Sequence, residues 1–432
     1  MQRLLSNNFS RTIRFFAAAF FALFVVSMAA AQREAVLFSI QNGADGRNPY
    51  GPVVRDSAGN LYGTTVGGGG LNGAVWELSP SLGGTWTETV LHTFTGGPDG
   101  ASPMGGLVLD SAGNLYGTAS TGGNAGCSNQ GCGVVFKLSP GGSGGWTDTV
   151  IYSFTGGSDG GTPWTSVTFD AAGNLYGTTV NGGNFGFGVV FELLPNSSGS
   201  WTESVLHHFT NGADGGTPFG TLLFDASGNL YGTTEGGGDP SCNSSWPNGC
   251  GIVFRLSPTS GGWKGTVLHT FHPAHGSQPQ GGVIMDSAGN LYGATIVGGE
   301  NFGCYGTGCG VVYKLSPTAS GPWAFTQLHE FSDQKFNNGF MPMGNLLLDK
   351  SGVLYGTASQ GGKCTGGLVY KLTQGSGGSW IETVLHPFAC TTTDGFVPFS
   401  GLISDSAGNL YGTTTGGGST DFNAGTVYEL TP

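Results

Sequence analysis

A nine-residue block, Asp-x-x-Gly-Asn-Leu-Tyr-Gly-Thr, returns seven times along this 432-residue chain, beginning at Asp56, Asp110, Asp170, Asp225, Asp286, Asp349 and Asp405. The sixth copy departs most, with Val353 in place of Asn. Successive copies lie 54, 60, 55, 61, 63 and 56 residues apart. That period is too long for leucine-rich or ankyrin repeats and right for four short strands with their turns.

The second copy shows how one unit reads. A short apolar run, Gly106-Leu107-Val108-Leu109, leads into Asp110-Ser111-Ala112-Gly113-Asn114 and then Leu115-Tyr116-Gly117-Thr118. Asp and Asn favour turns by bonding nearby backbone N–H groups, and Gly accepts the positive φ a tight hairpin demands. A glycine-rich loop follows, then Val134-Val135-Phe136-Lys137-Leu138, a Gly144-Gly145-Trp146 turn, and Thr149-Val150-Ile151-Tyr152-Ser153-Phe154. These four runs are β-branched or aromatic, short, and separated by Gly or Pro, so they are predicted as strands A to D.

The two ends are complementary. Ala35-Val36-Leu37-Phe38-Ser39-Ile40 with the following Asn42-Gly43-Ala44-Asp45-Gly46 aligns with strand D at Val205 to Phe209 and its Asn211-Gly212-Ala213-Asp214-Gly215. The C-terminal unit supplies A, B and C only. If residues 35–40 complete the last sheet, every sheet has four strands and no long edge is exposed. The expectation is a single seven-bladed β-propeller spanning residues 32–432.

Residues 1–31 are of another kind: Arg3, Arg11 and Arg14 precede an apolar run from Phe15 to Met28, and Ala29-Ala30-Ala31 follows. This pattern predicts a secretory signal peptide cleaved after Ala31, with a retained N-terminal anchor as the alternative. No second apolar stretch of that length follows, so no membrane span is expected after cleavage. Removing the leader leaves 11 basic against 26 acidic side chains, a formal charge of −15. Nucleic-acid binders neutralise phosphates with Lys and Arg, which are few and scattered here, so a nucleic-acid partner is not expected. Gly fills 84 positions, a composition that also suits disordered chains. The recurrence of Leu, Val, Phe and Tyr at fixed places argues instead for a packed core.

Eight cysteines in an exported chain read as disulfides. Local pairing gives Cys127–Cys132, Cys242–Cys250 and Cys304–Cys309, leaving Cys364 with Cys390. Zinc is the competing reading for the Cys-x4-Cys pairs, but no His sits beside any of them.

The block Asp-x-x-Gly-Asn-Leu-Tyr-Gly-Thr-Thr, with Gly-Gly after it and Gly-x-Val-Phe-x-Leu-Ser-Pro beyond, resembles the GloVer (Gloeo_Verruco) tandem repeat of exported bacterial proteins. The resemblance covers nearly the whole chain after the leader. It implies a secreted or surface repeat protein and brings no catalytic residue with it. The chain stops at Pro432 without the C-terminal sorting segment such proteins often carry.

In a propeller the B–C and D–A loops emerge on one face, and the A–B and C–D turns on the other. The repeated Asp-x-x-Gly-Asn and Gly-x-Trp turns fall on the second face and read as blade-building. Strand D carries His92, His207, His269, His329 and His386 at matching positions. One His per blade lies on a wide ring, too far from its equivalents to share an ion. The D–A loops carry Asp45, Asp99, Asp159, Asp214 and Asp394, and two readings stand side by side. Either these carboxylates gather at the channel mouth and hold Ca²⁺ or bind sugar hydroxyls, or they cap the turn into strand A.

The B–C loops vary most and hold Phe185, Phe187, Trp246, Tyr305 and Phe422, with Asn184, Glu235, Asp239 and Glu300 nearby. Aromatic faces beside amides and carboxylates suit a glycan, and packing over the blade tops is the other reading. The expected function is therefore a binding or adhesion scaffold for a glycan or protein partner, acting as a monomer. A Ca²⁺-dependent lactonase or a glycoside-active enzyme at the channel mouth, and a purely structural surface protein, are the alternatives. A sialidase-type site is disfavoured, because only Arg33, Arg47, Arg55 and Arg255 follow the leader.

Overall fold

The repeated block folds as a hairpin because Asp, Asn and Tyr close one hydrogen-bond network. In the second copy Asp110 Oδ1 accepts from the backbone N–H of Ala112 and Asn114, and Oδ2 from the Asn114 amide and the Tyr116 hydroxyl, at 2.7 to 3.1 Å. The sixth copy has no amide to give at Val353, and Ser351 Oγ donates to Asp349 Oδ1 instead, at 2.8 Å.

In this computed structural model the described residues are 33–432 apart from 69–71, 125, 143, 243–247, 301–302, 305, 320, 333–337, 392 and 419–423. Blade 1 contains strands A Val54–Arg55, B Leu61–Thr65, C Ala74–Pro80 and D Trp86–Thr93. In blades 2 to 6, strand A is Val108–Leu109, Thr168–Phe169, Leu223–Phe224, Ile284–Met285 and Leu347–Leu348. Strand B is Leu115–Ala119, Leu175–Thr179, Leu230–Thr234, Leu291–Thr295 and Leu354–Ala358. Strand C is Val134–Pro140, Val189–Pro195, Ile252–Thr259, Val311–Ser316 and Leu368–Gln374. Strand D is Trp146–Ser153, Trp201–His208, Gly262–Thr270, Ala324–Glu330 and Trp380–Pro387. Each blade is an antiparallel sheet in the order A-B-C-D.

Blade 7 takes A, B and C from Ile403–Ser404, Leu410–Thr414 and Thr426–Thr431, and its fourth strand is Arg33–Ser39 from the other end of the chain. That strand pairs antiparallel with strand C, Glu34 opposite Leu430 and Ser39 opposite Thr426, with a bulge between Val36 and Phe38. The seven-bladed ring is thus closed by the N-terminal strand, and each blade has four strands. Two single turns of 3₁₀ helix, Pro273–His275 and Lys363–Thr365, interrupt the loops.

The core lies between blades. An aromatic residue just past strand D meets one on strand C of the next blade, edge to face: Phe94 with Phe136, Phe154 with Phe191, Phe209 with Phe254, Phe271 with Tyr313, Phe331 with Tyr370 and Phe388 with Tyr428. Ring centroids are 5.0 to 5.3 Å apart, the separation that favours this geometry. At the closing seam the same positions hold Ile40 and Trp76, both fully buried. The threonine of Leu-Tyr-Gly-Thr adds a polar stitch: Thr64, Thr118, Thr233 and Thr357 donate to the carbonyls of Gly105, Thr165, Gly281 and Ser400 in the following blade at 2.8 to 3.0 Å.

Candidate functional site at the axial mouth

Each D–A loop ends in a residue held at positive φ, then proline, then a side chain turned to the axis. The first of these are Asn48, Ser102, Thr162, Thr217, Gln278, Met341 and Val397, with φ between 53° and 59°. Left-handed backbone at β-branched Thr or Val is a true outlier and costs about 1–3 kcal/mol per residue. Two hydrogen bonds hold it there. The Thr217 N–H donates to the Phe187 carbonyl of blade 3, and its own carbonyl accepts from the Glu235 N–H of blade 4, at 2.8 and 3.0 Å. Thr162 and Val397 are pinned in the same way between neighbouring blades.

The side chains so placed are Tyr50, Met104, Trp164, Phe219, Gln280, Met343 and Phe399, one from each blade. All seven are half-buried and line a common axial well of about 110 Å³. Tyr50 stacks on Phe399 with centroids 5.0 Å apart, and Trp164 leans on Phe219 at 4.9 Å. Behind the ring the blades approach backbone to backbone. A Cβ on Gly51 would sit 2.6 Å from Gly105, and one on Gly105 2.6 Å from Thr165.

Gln280 is the one amide in this apolar ring. Its Nε2 donates to Glu235 Oε1 at 2.9 Å. Burial raises the Glu235 carboxyl above its ordinary range, and the Gln280 bond works against that rise. Glu235, singled out from the sequence, therefore meets the well through Gln280. Its neighbours in that reading are placed elsewhere. Glu300 is exposed, and Asp239 receives the Ser241 N–H and lies 3.2 Å from His272. Phe185 is 57% exposed, whereas Phe187 packs on the core between blades 3 and 4. Trp246, Tyr305 and Phe422 lie outside the described residues.

The five D–A loop aspartates do not line the well. Each turns back on its own loop and strand D. Asp45 accepts from the N–H of Gln41 and Gly43, and Asp99 and Asp159 from those of Thr95 and Thr155. Asp214 takes the N–H of Thr210, and Asp394 that of Ala389. The expected gathering at the channel mouth gives way to turn capping because a carboxylate two to five residues from unpaired N–H groups satisfies them locally. The same carboxylates reach strand D: His92 lies 3.4 Å from Asp99, His207 3.2 Å from Asp214 and His386 2.7 Å from Asp394. His269 instead stacks on Phe325 at 4.5 Å, and burial, with His275 and His272 nearby, lowers its pKa to about 4.

All four disulfides are present: Cys127–Cys132, Cys242–Cys250, Cys304–Cys309 and Cys364–Cys390. The first three sit in B–C loops, and the fourth ties the B–C loop of blade 6 to the D–A loop that leaves it. Four bridges belong to an oxidising compartment, so the chain is an exported protein. Among the described residues no helix is long and apolar enough to cross a membrane.

The sequence pattern of the Gloeobacter/Verrucomicrobia repeat matches residues 22–246 and 241–432. The chain belongs to the Gloeobacter/Verrucomicrobia repeat family. Among solved structures it is similar to the extracellular domain of a one-component system from B. thetaiotaomicron, at 12% identity and a TM-score of 0.53. That match covers 93% of this chain and 42% of the other, so the chain spans under half the length of that structure. A protein of unknown function from Dyadobacter fermentans DSM 18053 aligns over 92% of this chain and 97% of its own at 11% identity, with a TM-score of 0.44. At 12% identity the first of these likenesses is one of fold. No curated protein matches.

The axial ring was missed in the sequence although its signal is there. Each member lies six residues before the Asp of the block, directly after a proline, from Tyr50 before Asp56 to Phe399 before Asp405. Its residue types differ from blade to blade, and attention to the unchanging positions passes over it.

Proposed function

We propose that this repeat-family member is an exported binding scaffold that takes a sugar ring of an extracellular glycan into the axial well, after cleavage of the leader behind Ala31. The observation carrying this reading is the convergence of Tyr50, Trp164, Phe219 and Phe399 on one axis beside the Gln280 amide. Elsewhere between blades, aromatic residues at repeated positions are packed against one another; these remain half-exposed. A pyranose offers a C–H face to an aromatic ring and hydroxyls to an amide and backbone carbonyls. Seven left-handed residues next to the ring support the same reading, since backbone strain collects where a fold presents a ligand. Phe185, exposed on a B–C loop of the same face, would extend contact outward.

A glycan array with the purified mature chain tests this. Hits are expected, and Trp164→Ala should weaken them about tenfold or more, the loss of one stacking face at roughly 1.4 kcal/mol. Absence of hits at high protein concentration, or hits unmoved by Trp164→Ala, overturns the assignment to the well.

A further inference from the structure

A second constellation lies at the outer rim, where strand D of one blade meets strand D of the next. At each seam the plan is the same: a strand D residue, a D–A loop residue, and a residue near the start of the next strand D. At blades 1 and 2 these are His92, Asp99 and Asp148; at blades 2 and 3, Tyr152, Asp159 and Glu203. Gly265 and Phe325 remove the last carboxylate at the two following seams. At blades 6 and 7 they are His386, Asp394 and Glu34, the last brought from the opposite end of the chain by ring closure.

Here the three groups converge. One ligand atom from each lies within 4.8 Å of the other two, and among the described residues no other group of three or more His, Cys, Asp or Glu has this spacing. His386 Nε2 is 2.7 Å from Asp394 Oδ1. Glu34 Oε1 is buried and makes no hydrogen bond. Two carboxylates face one imidazole, so the cluster is short of positive charge, and a buried carboxylate oxygen without a partner is a standing penalty.

From this convergence we infer that Glu34, His386 and Asp394 bind one divalent ion of the Zn²⁺ class, which pins the strand that closes the ring. One imidazole nitrogen and two carboxylate oxygens, with water in the fourth place, match zinc ligand chemistry. Ca²⁺ takes six to eight oxygens, and two carboxylates supply too few. Zn–ligand distances of about 2.0–2.2 Å put ligand atoms about 3.3 Å apart, so the His386–Asp394 pair opens slightly and Glu34 swings inward. Binding leaves the imidazole proton on Nδ1 and gives the Nε2 lone pair to the ion. The ion's ligands come from blade 6, from the loop behind it, and from the N-terminal strand. Its binding free energy therefore adds to ring closure.

The test uses the mature chain freed of metal with EDTA. ZnCl₂ should bind with one site per chain by calorimetry, and at ~100-fold excess over Kd should raise Tm by about 3 °C. Co²⁺ should give the visible absorption of a low-symmetry site, while CaCl₂ at the same concentration should leave Tm unchanged. Glu34→Gln and Asp394→Asn should each abolish the shift and the Co²⁺ band, and Asp148→Asn at the blade 1–2 seam should retain both. Failure of Zn²⁺ and Co²⁺ to bind, or an equal Tm rise in Glu34→Gln, overturns the site. If Glu34→Gln does not fold, the Co²⁺ spectrum of Asp394→Asn decides, and an unchanged band counts against it.

Discussion

The glycine of Leu-Tyr-Gly-Thr is fixed by a partner on the next strand. On strand B, Gly63, Gly117, Gly177, Gly232, Gly293, Gly356 and Gly412 sit opposite Trp76, Phe136, Phe191, Phe254, Tyr313, Tyr370 and Tyr428 of strand C. Each aromatic ring reaches over the glycine, and a Cβ there would come within 2.3 to 2.6 Å of it. That ring is the one which meets the preceding blade, so a side chain on strand B would push it out of the seam. Gly232→Ala should therefore destabilise the protein by about 2 kcal/mol in urea unfolding, through forced repacking of Phe254. A loss under ~0.5 kcal/mol would show that the ring moves freely. The turn glycine in the same block was legible from sequence, because its demand for positive φ is local. The strand glycine was not, because its partner stands some 13 to 22 residues further on, from Gly63 to Trp76 and from Gly232 to Phe254.

Strands D carry the charge of the seams. Glu203, near the start of strand D in blade 3, has a buried Oε1 without a hydrogen-bond partner. Burial, with a smaller push from the Asp159 charge, raises its carboxyl from 4.5 to about 7. Tyr152 completes the neighbourhood, donating its hydroxyl to Asp159 at 3.1 Å. The folded protein keeps the Glu203 proton in a range where the unfolded chain has released it. Folding thus takes up a proton between pH 4.5 and about 7, and stability falls as pH rises through that window, levelling above it. Urea midpoints measured at about pH 5 and pH 8 should show this fall, and Glu203→Gln should flatten part of it. A slope identical to wild type would mean that Glu203 is ionised throughout. The histidines of these strands were read from sequence as too far from one another to share an ion. What the sequence left out is that an acid can also come from the next blade, as Glu382 does toward His329 at 3.5 Å.

For the whole molecule, everything depends on one pairing between residues some four hundred positions apart, Arg33 opposite Thr431 through Ser39 opposite Thr426. Without it blade 7 keeps three strands, strand C of that blade becomes an open edge, and Ile40 leaves the seam opposite Trp76. A chain lacking residues 33–40 should lose cooperative unfolding and associate through the bared edge. A synthetic peptide of residues 33–47 added in trans should restore a single unfolding transition. A truncated chain that remains monomeric with an unchanged Tm would show that closure adds little.

The sequence alone determined the number of blades, the four-strand unit and the closing strand, because each is written in local chemistry repeated at a fixed period. Turn signals, alternating apolar runs and matched termini need no knowledge of what lies across a seam. Only the tertiary structure decided where the chemistry gathers. It turned the loop aspartates back on their own loops, set seven side chains of five kinds around one axis, and brought Glu34 from the first strand beside His386 and Asp394. The last two meetings join residues of different blades, whose distances are fixed by closing the ring and by no interval along the chain.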